Sequence, residues 1–281
     1  VRTLQIGEAD LVVLEDESAV AREAALRTTG ALREALDERG VAHLALTGGS
    51  SAVALYRELA QPEWRSAVDW HNVHLWWGDD RFVPTDHPES NTGLAYRLLL
   101  ALSARAGESG TGAEGVDVTA GQVPGLPVDP DNVHRMPLEE AIGQSESVDW
   151  AARRYAEEIE RIVPKGAGGV PSFDVIHLGL GPDGHTMSAF PGSPALAPDA
   201  PLALGIPAPT HVEPHLARVT LSARLLPAAR LVLMVVTGEG KIAVLRDVLV
   251  GERDVSRLPA QAAILPNAVW LLDEAAAADL G

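Results

Sequence analysis

Apolar residues in this chain fall in short, dense runs separated by longer stretches of helical period. Asp10 to Leu14 reads as a short apolar strand, and Glu17 to Arg39 as a helix ended by Gly40. His43 to Thr47 is a second strand, followed at once by Gly48-Gly49-Ser50-Ser51 and a helix from about Ala52 to Leu59. Val73 to Trp77 is a third strand, and Asn91 to Leu102 a helix with Asn91 as its N-cap. The pattern then predicts a helix over Val148 to Ile162 and a strand over Asp174 to Leu178. Later strands are expected at Arg218 to Leu221, Leu231 to Val236 and Ala268 to Leu272, with a helix from Lys241 to about Val250.

Near-continuous apolar strands alternating with helices indicate the α/β class, with a sheet covered on both faces. No internal repeat or separating linker is visible, so residues 1–281 are expected to form one domain. Between Arg105 and Asp131 the chain turns to Gly, Pro and small polar residues, which predicts a long surface insertion.

Composition narrows the function classes. The formal net charge of -17 disfavours nucleic acid and anionic lipid as partners. An anionic metabolite would need local positive charge. Lys165 and Lys241 are the only lysines, every other basic residue being arginine, so a lysine beside a Gly-rich turn stands out. There is no cysteine, which removes disulfides, thiolate catalysis and Cys-based metal sites, and is compatible with a reducing compartment. No apolar run approaches a bilayer span, and Val1 to Asp10 has neither the basic nor the apolar region of a secretory leader. Nothing in the sequence specifies an oligomeric state, and a monomer is compatible with it.

Four places could carry chemistry. Thr47-Gly48-Gly49-Ser50-Ser51 joins a strand to a helix, where free amides and hydroxyls can hold an anion. The spacing and lysine of a Walker loop are missing, and a plain serine-capped turn would read the same way. Gly78-Asp79-Asp80-Arg81 follows the third strand, where ligands bind in open α/β sheets, although an Asp–Arg staple of the turn is the plainer reading. A metal held by His71, His74, Asp79 and Asp80 is disfavoured, because the two histidines are three apart in a segment expected to be extended.

The third place is Gly179-Leu180-Gly181-Pro182-Asp183-Gly184-His185-Thr186. It spells G-x-G-x-x-G, but Asp183 would repel a pyrophosphate and Pro191 cuts the following helix short. What remains is a histidine two residues from a carboxylate, a pair suited to acid–base work. The fourth is Arg218 together with Lys241, the latter at a helix start where its charge opposes the dipole unless an anion binds.

Taken in order, Thr47-Gly-Gly-Ser50, Asp79-Asp-Arg81-x-Val-Pro84, Ser90-Asn91, Val133-His-Arg-Met-Pro137, Gly179 to Thr186, Phe190-Pro191 and Gly240-Lys241 resemble the 6-phosphogluconolactonase family over nearly the whole chain. That resemblance implies a three-layer α/β/α fold with a mostly parallel, Rossmann-like sheet, shared with glucosamine-6-phosphate deaminases and ribose-5-phosphate isomerases. It implies a cytoplasmic hydrolase of a phosphorylated sugar lactone that uses no metal and no cofactor. Carried over by motif, Gly49, Ser50, Arg218 and Lys241 would hold the phosphate, with Thr47 and Gly48 in the same turn. Asp79 and Arg81 would line the sugar site, Asn91 would add a polar contact, and His185 would be the acid–base group, steered by Asp183. The family usually has Glu where this chain has Asp80, and the 105–131 stretch is longer than the family needs.

Two rivals share the resemblance. Deaminases continue the Asp-Gly-His turn into Phe-Asn-Glu-Pro, whereas this chain has Ala189-Phe190-Pro191 and lacks that acidic residue. A non-catalytic phosphosugar-binding regulator would need no titratable turn and commonly carries a basic DNA-binding module, which is absent here.

Overall fold

The computed structural model describes residues 1–100 and 125–280. In chain order the strands are β1 (Arg2–Ile6), β2 (Ala9–Leu14), β3 (Ala42–Leu46), β4 (Val73–Trp77), β5 (Asp79–Arg81), β6 (Val175–Gly179), β7 (Ala203–Ile206), β8 (Arg218–Leu221), β9 (Leu231–Val236) and β10 (Ala268–Asp273). The helices are α1 (Glu17–Arg39), α2 (Ser50–Leu59), α3 (Pro62–Ala67), α4 (Asn91–Leu98), α5 (Leu138–Gly143), α6 (Val148–Ile162) and α7 (Ile242–Val250).

The apolar strands form one sheet in the order β1-β2-β10-β9-β6-β3-β4. All its pairings are parallel except the β1–β2 edge. Strands such as β3 and β10 are buried at every position, which is why they read as continuous apolar runs. Helix α1 lies against β2, β3, β6, β9 and β10. Its start is capped by Asp16, which accepts from the Ala19 amide; its end, as the sequence indicates, falls at Gly40, in the left-handed conformation.

A second, three-stranded antiparallel sheet, β5-β8-β7, was not expected. Helix α6 packs on β7 and β8. Its strands are three or four residues long. Of the three, β8 was expected at Arg218 to Leu221; β5 and β7 are too short for a period to show, and Asp79-Asp80-Arg81 is too polar to resemble a buried strand.

In this fold the chain moves from β3 outward to β4, then returns to the other side of β3 as β6 and continues outward to β9. Connections leave β3 and β6 in opposite directions, so a crevice opens beyond their carboxyl ends. The loops after β3, β4, β6 and β9 all meet there.

Two expectations need correction. Trp70–Asn72 is a 3₁₀ turn rather than extended chain, so His71 and His74 do not alternate across one strand. His74 instead pairs with His134 through Nδ1 and Nε2 at 2.8 Å. Most of the expected 105–131 insertion lies outside the described residues. Its end is not a surface loop: Leu126 and Val128 are buried, and the Leu126 amide donates to Leu99 O at 2.8 Å. The next segment closes the edge of the main sheet, with the His134 amide donating to Leu75 O on β4 at 2.8 Å.

Histidines inside the strands make the fold acid-sensitive. Burial pushes His43 and His177 down to about 3 and His74 down to about 4, with neighbouring imidazoles adding to the effect on His43 and His74. In the unfolded chain each titrates near its ordinary value of 6.5. As pH falls below that value the unfolded state takes up protons that the folded state refuses, so stability falls by up to about 1.4 kcal/mol per pH unit for each histidine. Asp80 and Asp174, raised by burial, act in the opposite sense and offset part of this loss. The urea midpoint is therefore expected to be level above pH 7 and to drop steeply from pH 6.5 towards 5. A midpoint unchanged to pH 5 would contradict this.

Candidate active site

The chain leaves β3 through Thr47-Gly48-Gly49 and enters α2 at Ser50. Gly49 has φ +77°, which a side chain resists, and a Cβ at Gly48 would lie 1.9 Å from Asn91 Oδ1. No side chain caps α2, so its first amides remain available to an anion. The turn is braced from below, where the Tyr56 hydroxyl donates to Thr47 O.

After β4, strand β5 peels away to pair with β8, in a register that sets Arg81 directly opposite Arg218. Two guanidinium groups facing each other are unfavourable unless something negative lies between them. Arg81 donates to Glu89 O at 2.7 Å and reaches its carboxylate at 3.3 Å, while Arg218 donates to Pro214 O at 3.0 Å. The Nε groups of both are buried without a partner among the described residues. Burial lowers the pKa of Arg218, and the nearby Arg81 adds to the effect.

The two adjacent carboxylates point to different tasks. Asp79 faces the cleft, where its Oδ2 accepts from Ser188 Oγ at 2.5 Å and its backbone carbonyl from Asn91 Nδ2 at 2.9 Å. Asp80 points inward and is fully buried. Its oxygens accept from the Asn91, Arg81 and Thr92 amides at 2.7, 2.8 and 3.0 Å. Asp80 thus secures the N-terminus of α4. The N-cap is Ser90, whose Oγ accepts from the Gly93 amide at 3.0 Å, and not Asn91 as the sequence suggested. Asn91 is the first helical residue, which frees its side chain for Asp79. Asp80→Ala would strand three amide donors, two of them buried, so a loss of about 3 kcal/mol is expected in denaturant unfolding. A cost under about 0.5 kcal/mol, the scale of an ordinary surface change, would refute this role.

Beyond β6, the Gly181 amide donates to His185 O at 2.8 Å and the Gly184 amide to Gly181 O at 3.2 Å, closing a tight turn. His185 lies over Gly181 with its Nδ1 2.5 Å from Asp183 Oδ1. A carboxylate can only accept, so Nδ1 carries a proton, and in the neutral ring Nε2 is the nitrogen left with a lone pair. Burial would raise the Asp183 carboxyl, but hydrogen bonds from His185 and His211 hold it well below the usual carboxylate range. Beyond β9, Lys241 caps the start of α7 and its Nζ donates to Leu180 O at 2.6 Å. Burial lowers its pKa, with the Asp183 charge opposing.

These groups surround one open cleft of about 410 Å³. Thr47, Gly48, Gly49, Ser50, Asp79, Arg81, Asn91, His185, Arg218 and Lys241 line it, and Asp183 stands behind His185. The sequence reading missed Ser188, which holds Asp79, and Met187, His211 and Glu213, which line the cleft. Met187 has φ +52°, unusual for a residue with a side chain, and no local signal marks it. No group of three or more metal-ligating side chains is arranged to hold an ion among the described residues. None of the described helices is long and apolar enough to cross a membrane.

Anion-holding groups and an imidazole paired with a carboxylate, gathered in one cleft, suit an enzyme acting on a phosphorylated small molecule. The comparisons make the class specific: the chain belongs to the family described as glucosamine-6-phosphate isomerases/6-phosphogluconolactonase, which it matches over residues 15–271. It is 34% identical to the 6-phosphogluconolactonase of Streptomyces coelicolor over 96% of this chain and 94% of that protein. The 6-phosphogluconolactonase structure from Trypanosoma cruzi shares its fold with a TM-score of 0.77, at 23% identity, covering 100% of this chain and 99% of that one. A monomeric glucosamine-6-phosphate deaminase shares the fold as well, with a TM-score of 0.72 at 16% identity, covering 95% of this chain and 98% of that one. The fold alone therefore does not separate the two chemistries.

Proposed function

We infer that this chain hydrolyses 6-phospho-D-glucono-1,5-lactone to 6-phosphogluconate, the lactonase step of the oxidative pentose phosphate pathway. Full-length similarity to a lactonase supports the reaction. The observation that carries it within the family is the His185 environment. Among the described residues Asp183 is the one carboxylate paired with His185, and Phe190-Pro191 occupies the place of the acidic residue that deaminases carry.

In this reading the phosphate sits at the start of α2, against the Gly49 and Ser50 amides, between Arg218 and Lys241. Anchoring it there orients the lactone carbonyl towards His185. His185 Nε2 takes a proton from water as the water oxygen bonds to the carbonyl carbon. Arg81 and turn amides stabilise the oxyanion. Collapse breaks the bond to the ring oxygen, which takes the proton back from the imidazolium, and the new acid ionises. Asp79, fixed by Ser188 and Asn91, receives sugar hydroxyls. Side chains and backbone amides together supply the groups this step uses. Both sheets contribute to the cleft, which supports residues 1–281 acting as one lactonase unit. A phosphorylated substrate is too polar to cross a bilayer unaided, so the cytoplasm, where such sugars are made, is the proposed place of action.

The test generates the lactone in situ from glucose-6-phosphate and follows its loss against spontaneous hydrolysis, with a chelator present. Acceleration by the protein supports the reading. No acceleration overturns it, and ammonia release from glucosamine-6-phosphate would then favour the deaminase.

A further inference from the structure

The His185–Asp183 pair has a third member that the mechanism above does not use. Asp183 Oδ1 is taken by His185 Nδ1 at 2.5 Å and by the His185 amide at 3.2 Å, and Asp183 Oδ2 lies 2.9 Å from Nε2 of His211. We propose that His211 is a positioning residue for the hydrolytic step, fixing Asp183 so that this carboxylate holds His185 in the tautomer and orientation a general base needs. This rests on the lactonase reading and deepens it.

The geometry is specific. A carboxylate held through one oxygen can turn about its Cβ–Cγ bond, and the imidazole on that oxygen turns with it. Held through both oxygens, it presents one fixed acceptor to His185. An ionised carboxylate cannot donate, so His211 must supply the proton at Nε2, just as His185 supplies it at Nδ1. The two rings are also tied by packing. Phe190 lies 4.6 Å from the His185 ring and meets the His211 ring edge-on at 5.7 Å. The Arg218 guanidinium lies 5.2 Å over the same Phe190 ring and donates to Pro214 O, three residues beyond His211. The segment carrying His211 is therefore anchored by a residue assigned above to the substrate phosphate.

His211 differs from His185 in exposure: its side chain is 50% exposed at the cleft mouth, against 13% for His185. It is placed to hold the pair without displacing substrate from Nε2 of His185. The groups that bear on it are few. Asp183 faces it directly, Glu213 follows two residues on and pairs with His215 at 3.6 Å, and Arg218 and Lys241 act on Asp183 through space. Removing the His211 donor leaves Asp183 with more charge to offer His185. The imidazolium is then better stabilised, so His185 gains proton affinity while losing its fixed orientation.

Two measurements on the full chain test this. Imidazole titration by NMR follows His185 in wild type, His211→Ala and His211→Gln; glutamine keeps a neutral N–H near the Nε2 position but cannot titrate. His211→Ala is expected to move the His185 titration upward by about half a pH unit or more. In the lactone assay it should lower kcat about tenfold with little change in KM, and shift the acid limb of kcat/KM to higher pH. His211→Gln should recover most of kcat and return the His185 titration towards wild type. An unchanged His185 titration in His211→Ala would overturn the proposal. So would a His211→Gln variant as impaired as His211→Ala, which would mark a purely structural loss. Wild type and His185→Ala run beside them. Lactone loss accelerated by wild type, with His211→Ala indistinguishable from it, sinks this inference alone. A wild type without lactonase activity sinks the proposed function, while the NMR titration still judges the His211 contact.

Discussion

His185→Ala is expected to lower kcat for lactone hydrolysis by about a thousandfold while the protein stays folded, the scale on which a positioned acid–base group acts. The loss should fall on kcat and kcat/KM together, with KM little changed, because the groups assigned to the phosphate belong to other loops. Folding should survive because His185 lies at the cleft wall, and its main structural partner, Asp183, keeps the His211 contact. Steady-state kinetics with a matched circular dichroism spectrum would check this. Near-normal turnover from a folded variant would mean that another group activates water.

The second large effect is expected from a residue with no side chain. A Cβ on Gly181 would lie 2.1 Å from both Cε1 and Nδ1 of His185, well inside any tolerated contact. Backbone carries one side of that contact, so the imidazole must give way. It would swing off Asp183 and lose the bond that sets its tautomer. Gly181→Ala should therefore approach the His185→Ala loss in kcat, at least about a hundredfold, with the denaturant midpoint changed far less than activity. A crystal structure of the variant should show His185 in a different rotamer. Wild-type activity in Gly181→Ala would show that the ring can function from another position. This close approach also explains the second glycine of the Gly179-Leu180-Gly181 segment. Gly181 makes room for a histidine.

Asp80 resolves one departure from the family pattern. The sequence could show that a carboxylate was one methylene shorter than usual, but not which way it pointed. In the structure Asp79 and Asp80 alternate across β5, so one faces the cleft and the other reaches the start of α4. Losing Asp80 would act on stability first and on the site through Asn91.

Some of this protein was readable without coordinates. The apolar runs of β2, β3, β4, β6, β9 and β10, the start and stop of α1 and the Gly-rich turns after β3 and β6 are local properties. Each depends on residues within a few positions of one another, where period, capping and glycine conformation leave a mark. The same holds for Asp183 and His185, two residues apart on one turn. Other features came from tertiary structure. The facing pair Arg81 and Arg218 is a matter of register between strands far apart in sequence. The Ser188 contact to Asp79 and the His211 contact to Asp183 join segments 109 and 28 residues apart. In the sheet β5-β8-β7, β8 was readable as a strand, but β5 and β7 are too short to show a period and the pairing of the three joins distant segments. Local pattern specifies which segments become strands and helices and where glycine must turn the chain. Which side chains then meet across the cleft is decided by packing between distant segments, and no single stretch of sequence encodes it.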